Sequence, residues 1–281
     1  MPVAADVVLI VDESGSMGGE HAWIPDMVSA LESALKSAGV GAGADPNRYA
    51  LVGFGSSSHD QPGGLVQEPH KHTSGSDDWF AASGFTNLDT PLVTDGATED
   101  GWAGIDFFFD NYTPRANAAL NVILITDEDR DNTDNTLSFA GIQNQLTGAN
   151  SLLNAVVNCN FAGPSGAALG VDSKRNAYIA DGNGGFTKEG NGSKSGFCAR
   201  TTFDDYVKLA WNTGGAAWDL QKLRAGGVTA DSFTKAFVDL KVAEIQQQPP
   251  IGQPTVPEPA TLALFGLGLA GLGFGRRKAQ V

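Results

Sequence analysis

The chain has 281 residues, a hydrophobic content of 41% and a formal net charge of −14. This length and composition suffice for one sizeable core followed by a tail. The acidic balance, with no basic patch in the sequence, argues against nucleic acid and anionic lipid as partners and favours divalent cations and cationic surfaces. The 36 glycines show no period, so they indicate loops rather than a fibrous repeat.

The first predicted element is a buried parallel strand of Val, Leu and Ile over residues 6–11, which ends in Asp12-Glu13-Ser14-Gly15-Ser16. The carboxylate of Asp12 and the hydroxyls of Ser14 and Ser16 stand at alternate positions of this loop. Such small oxygen ligands suit a hard divalent cation that keeps some of its waters. Taken alone, the loop is better explained as a turn that caps the next helix.

Strands and helices alternate along the rest of the chain. Apolar residues at helical spacing predict helices at 21–38, 101–112, 136–146, 206–211 and 232–246. Apolar runs predict strands at 48–55, 121–126, 152–157 and 216–220, with an edge strand at 65–72. A Gly-rich insertion at 158–200 contains a predicted hairpin around Asp181.

This alternation predicts an α/β fold: a doubly wound, mostly parallel sheet with helices on both faces. Ligands of such sheets bind beyond the carboxyl ends of the strands, near the point where the strand order reverses. Asp12 follows the first strand and Asp127 follows the strand at 121–126. We therefore expect both carboxylates at that edge of the sheet.

The composition changes at a Pro/Gln-rich linker over residues 247–256. Residues 260–275 are all apolar or Gly, and Arg276-Arg277-Lys278 follow at once. As a helix this span would be about 24 Å long, slightly short of the hydrocarbon core of a bilayer. A buried core helix is the alternative, but an uncharged terminal segment after such a linker favours a transmembrane helix with its basic end in the cytoplasm.

Cys159 and Cys198 are the two cysteines of the chain. They are either two buried thiols or one disulfide, which would contribute roughly 4 kcal/mol by closing a long loop. The membrane tail argues for export and so favours the disulfide. Met1 is followed by four residues and then the first strand, with no secretory signal between them. The protein is then either cytoplasmic or derived from a precursor whose N-terminal leader is missing here, and we expect the latter.

Three motifs together resemble the von Willebrand factor A domain and its metal-ion-dependent adhesion site, over a domain of residues 1–246. They are D-x-S-x-S at 12–16, a threonine in the loop Ser83-Gly84-Phe85-Thr86-Asn87, and an aspartate that closes Ile125-Thr126-Asp127. The resemblance implies a magnesium site, in which manganese can substitute, with one position open to a carboxylate of a partner. Its implied ligands are Asp12, Ser14, Ser16, Thr86 and Asp127.

Two groups of residues depart from this pattern. Glu128 replaces the usual glycine, and with Asp129, Asp131 and Asp134 it forms an acidic loop. The EF-hand spacing fails in this loop, so a solvated acidic loop is favoured over a second site for calcium. Asp95, Glu99 and Asp100 precede a predicted helix and are interpreted as charges at its N-terminus.

His70 and His72 place two imidazoles on one side of a predicted strand. A third metal ligand is not evident from the sequence, so surface polar residues are the favoured interpretation.

The tail resembles a second family feature, the PEP-CTERM sorting signal. Pro257-Glu258-Pro259, the apolar span and the basic end follow one another over residues 257–281. The resemblance implies an exosortase that recognises the tail in the inner membrane of a Gram-negative bacterium. The protein would pass transiently through that membrane to the cell surface or the extracellular matrix.

We expect a binding module that uses its divalent cation to hold a carboxylate of a protein or an acidic polysaccharide. The alternative is a structural or assembly protein of the envelope or biofilm matrix whose partner binds without metal. No nucleophile elbow, catalytic triad or phosphate loop is present in the sequence. We therefore expect that the protein is not an enzyme.

Overall fold

A computed structural model describes residues 2–59 and 64–251. The strands are β1 (Ala4–Asp12), β2 (Arg48–Phe54), β3 (His70–His72), β4 (Ala118–Thr126), β5 (Leu152–Val157), β6 (Cys159–Gly163), β7 (Gly166–Ala168), β8 (Gly170–Asp172), β9 (Ala177–Ala180), β10 (Phe186–Glu189), β11 (Ser193–Cys198) and β12 (Ala216–Asp219). The α-helices are α1 (Gly18–Ser37), α2 (Gly101–Asn111), α3 (Phe139–Gly148), α4 (Lys208–Asn212), α5 (Leu220–Arg224) and α6 (Gly227–Gln247).

Within the described residues, the main sheet has nine strands in the order β10-β9-β8-β12-β5-β4-β1-β2-β3. Its five central strands, from β12 to β2, pair in parallel. The strands at both edges pair antiparallel, so the sheet is parallel at its centre, in agreement with the predicted mostly parallel sheet. The predicted edge strand at 65–72 is confined to β3.

The strand order reverses at β1. The chain runs from β1 to β2 on one side, then returns to β4 on the other side and continues outward to β5 and β12. β1 and β4 are direct neighbours, with Val11 opposite Ile125. The cleft beyond their carboxyl ends is therefore the topological switch point at which such folds bind ligands.

Helices cover both faces of the sheet because successive side chains of a strand point to opposite faces. Val7, Leu9 and Val11 of β1 pack into one core, with α1 and α6. Val8 and Ile10 pack into the other, with α2 and α3. Every residue of β1 is buried, as expected for a strand covered on both faces.

The Gly-rich insertion builds the far edge of the main sheet and a small second sheet. The hairpin predicted around Asp181 is formed by β9 and β10, with Ala180 opposite Phe186. β11, β6 and β7 make the second sheet. Cys159 on β6 and Cys198 on β11 are register partners, and a disulfide joins them.

No helix within residues 2–59 and 64–251 is long and apolar enough to cross a membrane. The predicted transmembrane span at 260–275 and the sorting signal at 257–281 lie outside the described residues.

Candidate metal centre

The predicted site begins where β1 and β4 end side by side. Asp12 is the last residue of β1, and Asp127 directly follows Thr126, the last residue of β4. The Thr126 hydroxyl donates to Asp12 Oδ2 at 2.8 Å. The parallel register of the two strands therefore brings Asp12 and Asp127 to one place, as predicted from their positions in the sequence.

The loop after β1 adds two hydroxyls to these carboxylates. The backbone N–H of Ser14 donates to Asp12 Oδ1 at 2.7 Å, which folds the loop back over the strand end. Ser14 Oγ and Ser16 Oγ lie 3.3 Å apart, and Ser16 Oγ donates to Asp127 Oδ1 at 2.9 Å. Four of the five predicted ligands thus form one connected group of oxygens.

Thr86 lies outside this group. It ends a 3-10 turn (Ala82–Thr86), and its hydroxyl donates to the Ser83 carbonyl at 2.9 Å. The adjacent Phe85 anchors the turn in the core, with edge-to-face contacts to Tyr49 and Phe80. The structure shows no hydrogen bond between Thr86 and the other four predicted ligands, all of which are described residues.

The loop before α2 approaches the site instead. The backbone N–H of Gly15 donates to the Gly96 carbonyl at 3.0 Å. A Cβ placed on Gly55 would lie 3.1 Å from Asp12 Oδ1 and 3.6 Å from Glu99 Cγ, which places Glu99 close to Asp12. The Glu99 carboxyl also bonds to Ser14, a member of the oxygen group.

Glu99 therefore differs from its two acidic neighbours. Asp100 does cap α2, because its carboxylate accepts from the backbone N–H of Trp102 and of Ala103. Asp95 accepts from the Ser56 hydroxyl at 2.8 Å. Asp100 thus caps α2, in agreement with its interpretation as a charge at the helix N-terminus, whereas Glu99, one residue before the cap, also bonds to Ser14.

Burial makes two of these carboxyls costly to ionise. It raises the pKa of Asp12 to about 7, against the opposing hydrogen bonds from Ser14 and Thr126. It raises the pKa of Glu99 to about 8, with a further contribution from the charge of Asp12. Among the described residues, Glu99 Oε2 has no hydrogen-bond partner despite its burial. Buried polar atoms are normally paired. A divalent cation would give Glu99 Oε2 a partner and would supply a positive charge that favours the ionised form of both carboxyls.

A cationic side chain borders the site. Arg224, at the end of α5, donates from Nη2 to Asp127 Oδ2 at 2.8 Å and to the Ser16 carbonyl at 3.1 Å. Its Nε donates to Glu20 Oε1 at 2.6 Å. Sequence reasoning missed Arg224 because nothing local indicates that α5 returns to the end of β4.

The acidic loop after β4 faces several separate partners. Asp129 lies 3.9 Å from Arg200 Nε, and Asp131 Oδ2 accepts from the backbone N–H of Glu99 at 2.9 Å. Asp134 accepts from the Thr136 hydroxyl. These carboxylates do not converge on one another.

The chain carries a recognised sorting motif. Residues 255–278 match the model of the PEP-CTERM protein-sorting motif. This match confirms the resemblance drawn from Pro257, Glu258 and Pro259. The PEP-CTERM motif is associated with exosortase processing and indicates a protein that is sorted through the membrane to the cell surface. No curated protein sequence matches the chain.

The solved structures to which this chain is similar include three of proximal thread matrix protein 1 (PTMP1) from the mussel byssus. The first has a zinc-occupied MIDAS motif, with 16% identity, a TM-score of 0.39, and coverage of 56% of this chain and 36% of that chain. A second crystal form has 14% identity, a TM-score of 0.36, and coverage of 56% of this chain and 38% of that chain. The third has 15% identity, a TM-score of 0.37, and coverage of 56% and 37%. This chain thus spans little more than a third of the length of PTMP1.

Proposed function

We propose that this protein is an exported, surface- or matrix-associated binding protein that holds a partner through a divalent cation. Asp12, Ser14, Ser16 and Asp127 hold the cation, and Glu99 lies beside them. The all-oxygen ligand set suits a hard divalent cation, and the resemblance to the metal-ion-dependent adhesion site implies Mg²⁺, with Mn²⁺ able to substitute. The partner offers a carboxylate from a protein or an acidic polysaccharide.

The observation that carries this proposal is the Ser16 hydroxyl, which links the ends of two strands. It lies 3.3 Å from the Ser14 hydroxyl on its own loop and 2.9 Å from Asp127 Oδ1 beyond β4. These oxygens stand at the switch point of the sheet, where doubly wound folds bind ligands. The two serine hydroxyls are neutral ligands, so they add no negative charge that would oppose a carboxylate of the partner as a further ligand of the cation.

We also propose that the site binds and does not catalyse. The Ser16 hydroxyl is already engaged by Asp127. His21 Nε2 bonds to the backbone oxygen of Asp12 at 2.7 Å, so this imidazole orients the loop and does not activate a serine.

One observation favours the alternative, in which the partner binds without metal. Arg224 already places a positive charge on Asp127 at 2.8 Å. An internal cation of this kind would allow the loop to fold without a metal ion.

Thermal unfolding of the purified protein in EDTA and in Mg²⁺ tests the cation site. We expect Mg²⁺ to stabilise the protein by about 2.7 kcal/mol at a concentration 100 times its Kd. Asp12→Asn should remove this effect. Asp134→Asn, which removes one charge from the neighbouring acidic loop, should retain it. Identical melting curves with and without Mg²⁺ would exclude the proposal.

Retention on immobilised polygalacturonate and polyglutamate tests the partner. We expect the protein to be retained in Mg²⁺, released by EDTA, and not retained when it carries Asp12→Asn. Retention that is equal in EDTA and in Mg²⁺ would support the metal-independent alternative.

A further inference from the structure

A second group of ligand-type side chains lies beside the first, on the other side of the end of β1. Glu13 Oε2 is 2.8 Å from His70 Nε2, and Glu13 Oε1 is 3.4 Å from His72 Nε2. One ligand atom from each of the three residues lies within 4.8 Å of the others. The third partner of the two histidines, which the sequence did not reveal, is thus the residue that follows Asp12.

The two imidazoles are oriented by backbone carbonyls. His70 Nδ1 lies 3.2 Å from the Glu68 oxygen, and His72 Nδ1 lies 2.8 Å from the Thr90 oxygen. A carbonyl only accepts hydrogen bonds, so each Nδ1 carries the proton. In the neutral imidazole the lone pair is then on Nε2, which faces Glu13. Histidines that ligate a metal commonly have this second hydrogen bond.

The atoms that face one another are buried and unsatisfied. Glu13 and His72 are fully buried. Among the described residues, Glu13 Oε2, His70 Nε2 and His72 Nε2 have no hydrogen-bond partner outside this group of three side chains. Buried polar atoms without partners are costly. Because these three ligand-type atoms face one another, a single bound ion could contact all of them.

The backbone leaves room for that partner at Gly53. Gly53 on β2 is opposite His70 on β3. A Cβ at this position would lie 2.2 Å from Glu13 Oε2, 2.6 Å from His72 Nε2 and 2.7 Å from His70 Nε2. Any side chain here would occupy the space on which the three ligand atoms converge.

We propose that Glu13, His70 and His72 form a second metal site that binds a transition-metal ion, with Zn²⁺ as the expected occupant. Two imidazole nitrogens and one carboxylate are a set that zinc accepts, with a further position for water or another ligand. Imidazole nitrogen does not suit magnesium. The His59 ring, stacked on His70 with 3.8 Å between centroids, lies next to this site.

The site would also brace the loop that carries Glu99. Glu13 Oε1 accepts from the backbone N–H of Val93 at 2.8 Å. The Glu13 carbonyl accepts from the N–H of Asp95 at 3.1 Å. An ion held by Glu13 would therefore fix β3 and the 93–95 segment against the end of β1, next to the oxygen site.

Zinc titration of the full chain against a chromophoric chelator tests the proposal. The protein is first stripped of metal, and Mg²⁺ is kept in excess so that the oxygen site does not take up zinc. We expect one Zn²⁺ per chain, and the same stoichiometry with Asp12→Asn. His70→Gln and His72→Gln should each weaken zinc binding by at least about 100-fold, because loss of even an outer-shell partner costs 10- to 100-fold.

Lys71→Ala is the matched control, since Lys71 lies between the two histidines and its Nζ reaches Asp78 instead. It should leave zinc binding unchanged. X-ray absorption of the zinc-loaded wild type should show imidazole scattering, which decides the question even if a histidine variant fails to fold. Oxygen-only coordination of the bound zinc, an absence of zinc binding, or full binding by both histidine variants would overturn the proposal.

Discussion

Arg224 and Asp127 form an ion pair at the edge of the oxygen site, with 2.8 Å between Nη2 and Oδ2. Glu20 holds the same guanidinium from the other side at 2.6 Å. Asp127 therefore has two potential counter-charges, the arginine and the proposed metal ion. Because both would act on one carboxylate, the arginine should lower the affinity for the metal.

Replacing Arg224 should strengthen cation binding. We expect Arg224→Gln to lower the Kd for Mg²⁺ and Mn²⁺ about 3- to 10-fold, since a partly exposed ion pair is worth on the order of 1 kcal/mol. Isothermal titration with Mn²⁺ measures the change. Lys222→Gln removes a cation from the same short helix and should have no effect. Weaker binding by Arg224→Gln would mean that the arginine positions Asp127 for the metal.

Replacing Glu99 and replacing Thr86 should have different effects on Mg²⁺ binding, because only Glu99 lies at the oxygen site. Glu99 lies against Asp12 and Ser14, whereas the Thr86 hydroxyl is bonded to Ser83. We expect Glu99→Gln to weaken Mg²⁺ binding roughly tenfold or more, in line with the loss of a ligand or of its outer-shell partner. Thr86→Ala should bind Mg²⁺ as the wild type does. The opposite ranking in the same titration would restore Thr86 as the ligand.

Much of the fold and of the oxygen group could be predicted because the signals are local. β5 occupies the predicted range 152–157, since a short and mostly apolar run marks a strand buried on both faces. Asp12 and Asp127 could be placed together because parallel strands end at the same edge of a sheet. Ser14 and Ser16 could be assigned to the site because their loop directly follows Asp12 and because Asp127 supports the same site from another strand end.

The positions of the remaining residues are set by contacts between distant parts of the chain, which no local sequence pattern reveals. Thr86 fitted a short motif, but the packing of Phe85 against Tyr49 and Phe80 decides where its turn lies. The pairing of β3 with β2 brings His70 to Glu13, and no local pattern predicts that register. Arg224 reaches Asp127 only because α5 follows β12 back to the same edge of the sheet.

The Cys159–Cys198 disulfide should stabilise the Gly-rich insertion. It closes a segment with a sequence separation of 39 residues, so its removal should cost about 2–4 kcal/mol of unfolding free energy. The double variant Cys159→Ser with Cys198→Ser, compared with the wild type by urea denaturation, measures this loss. If reduction leaves the urea midpoint unchanged, the crosslink contributes nothing to stability.

A buried lysine should make stability depend on alkaline pH. Lys241 of α6 is fully buried, and its Nζ contacts Asn121 Oδ1 and lies 3.3 Å from Glu244 Oε2. Burial lowers the pKa of Lys241 to about 8, although the charge of Glu244 opposes this shift. Burial also raises the pKa of Glu244, against the charge of Lys241. The pair is therefore costly to keep charged inside the protein.

Between pH 8 and about 10.5, the unfolded chain holds a proton on Lys241 that the folded chain has released. The contribution of Lys241 to the free energy of unfolding should therefore increase as the pH rises through this window, by about 1–3 kcal/mol. Urea denaturation at pH 7.5 and pH 10 measures it as the difference between the wild type and Lys241→Met, which lacks the titrating group. Lys235→Met removes an exposed lysine from the same helix and should follow the wild type. A difference between wild type and Lys241→Met that stays constant with pH would show that Lys241 keeps an ordinary pKa in the folded protein.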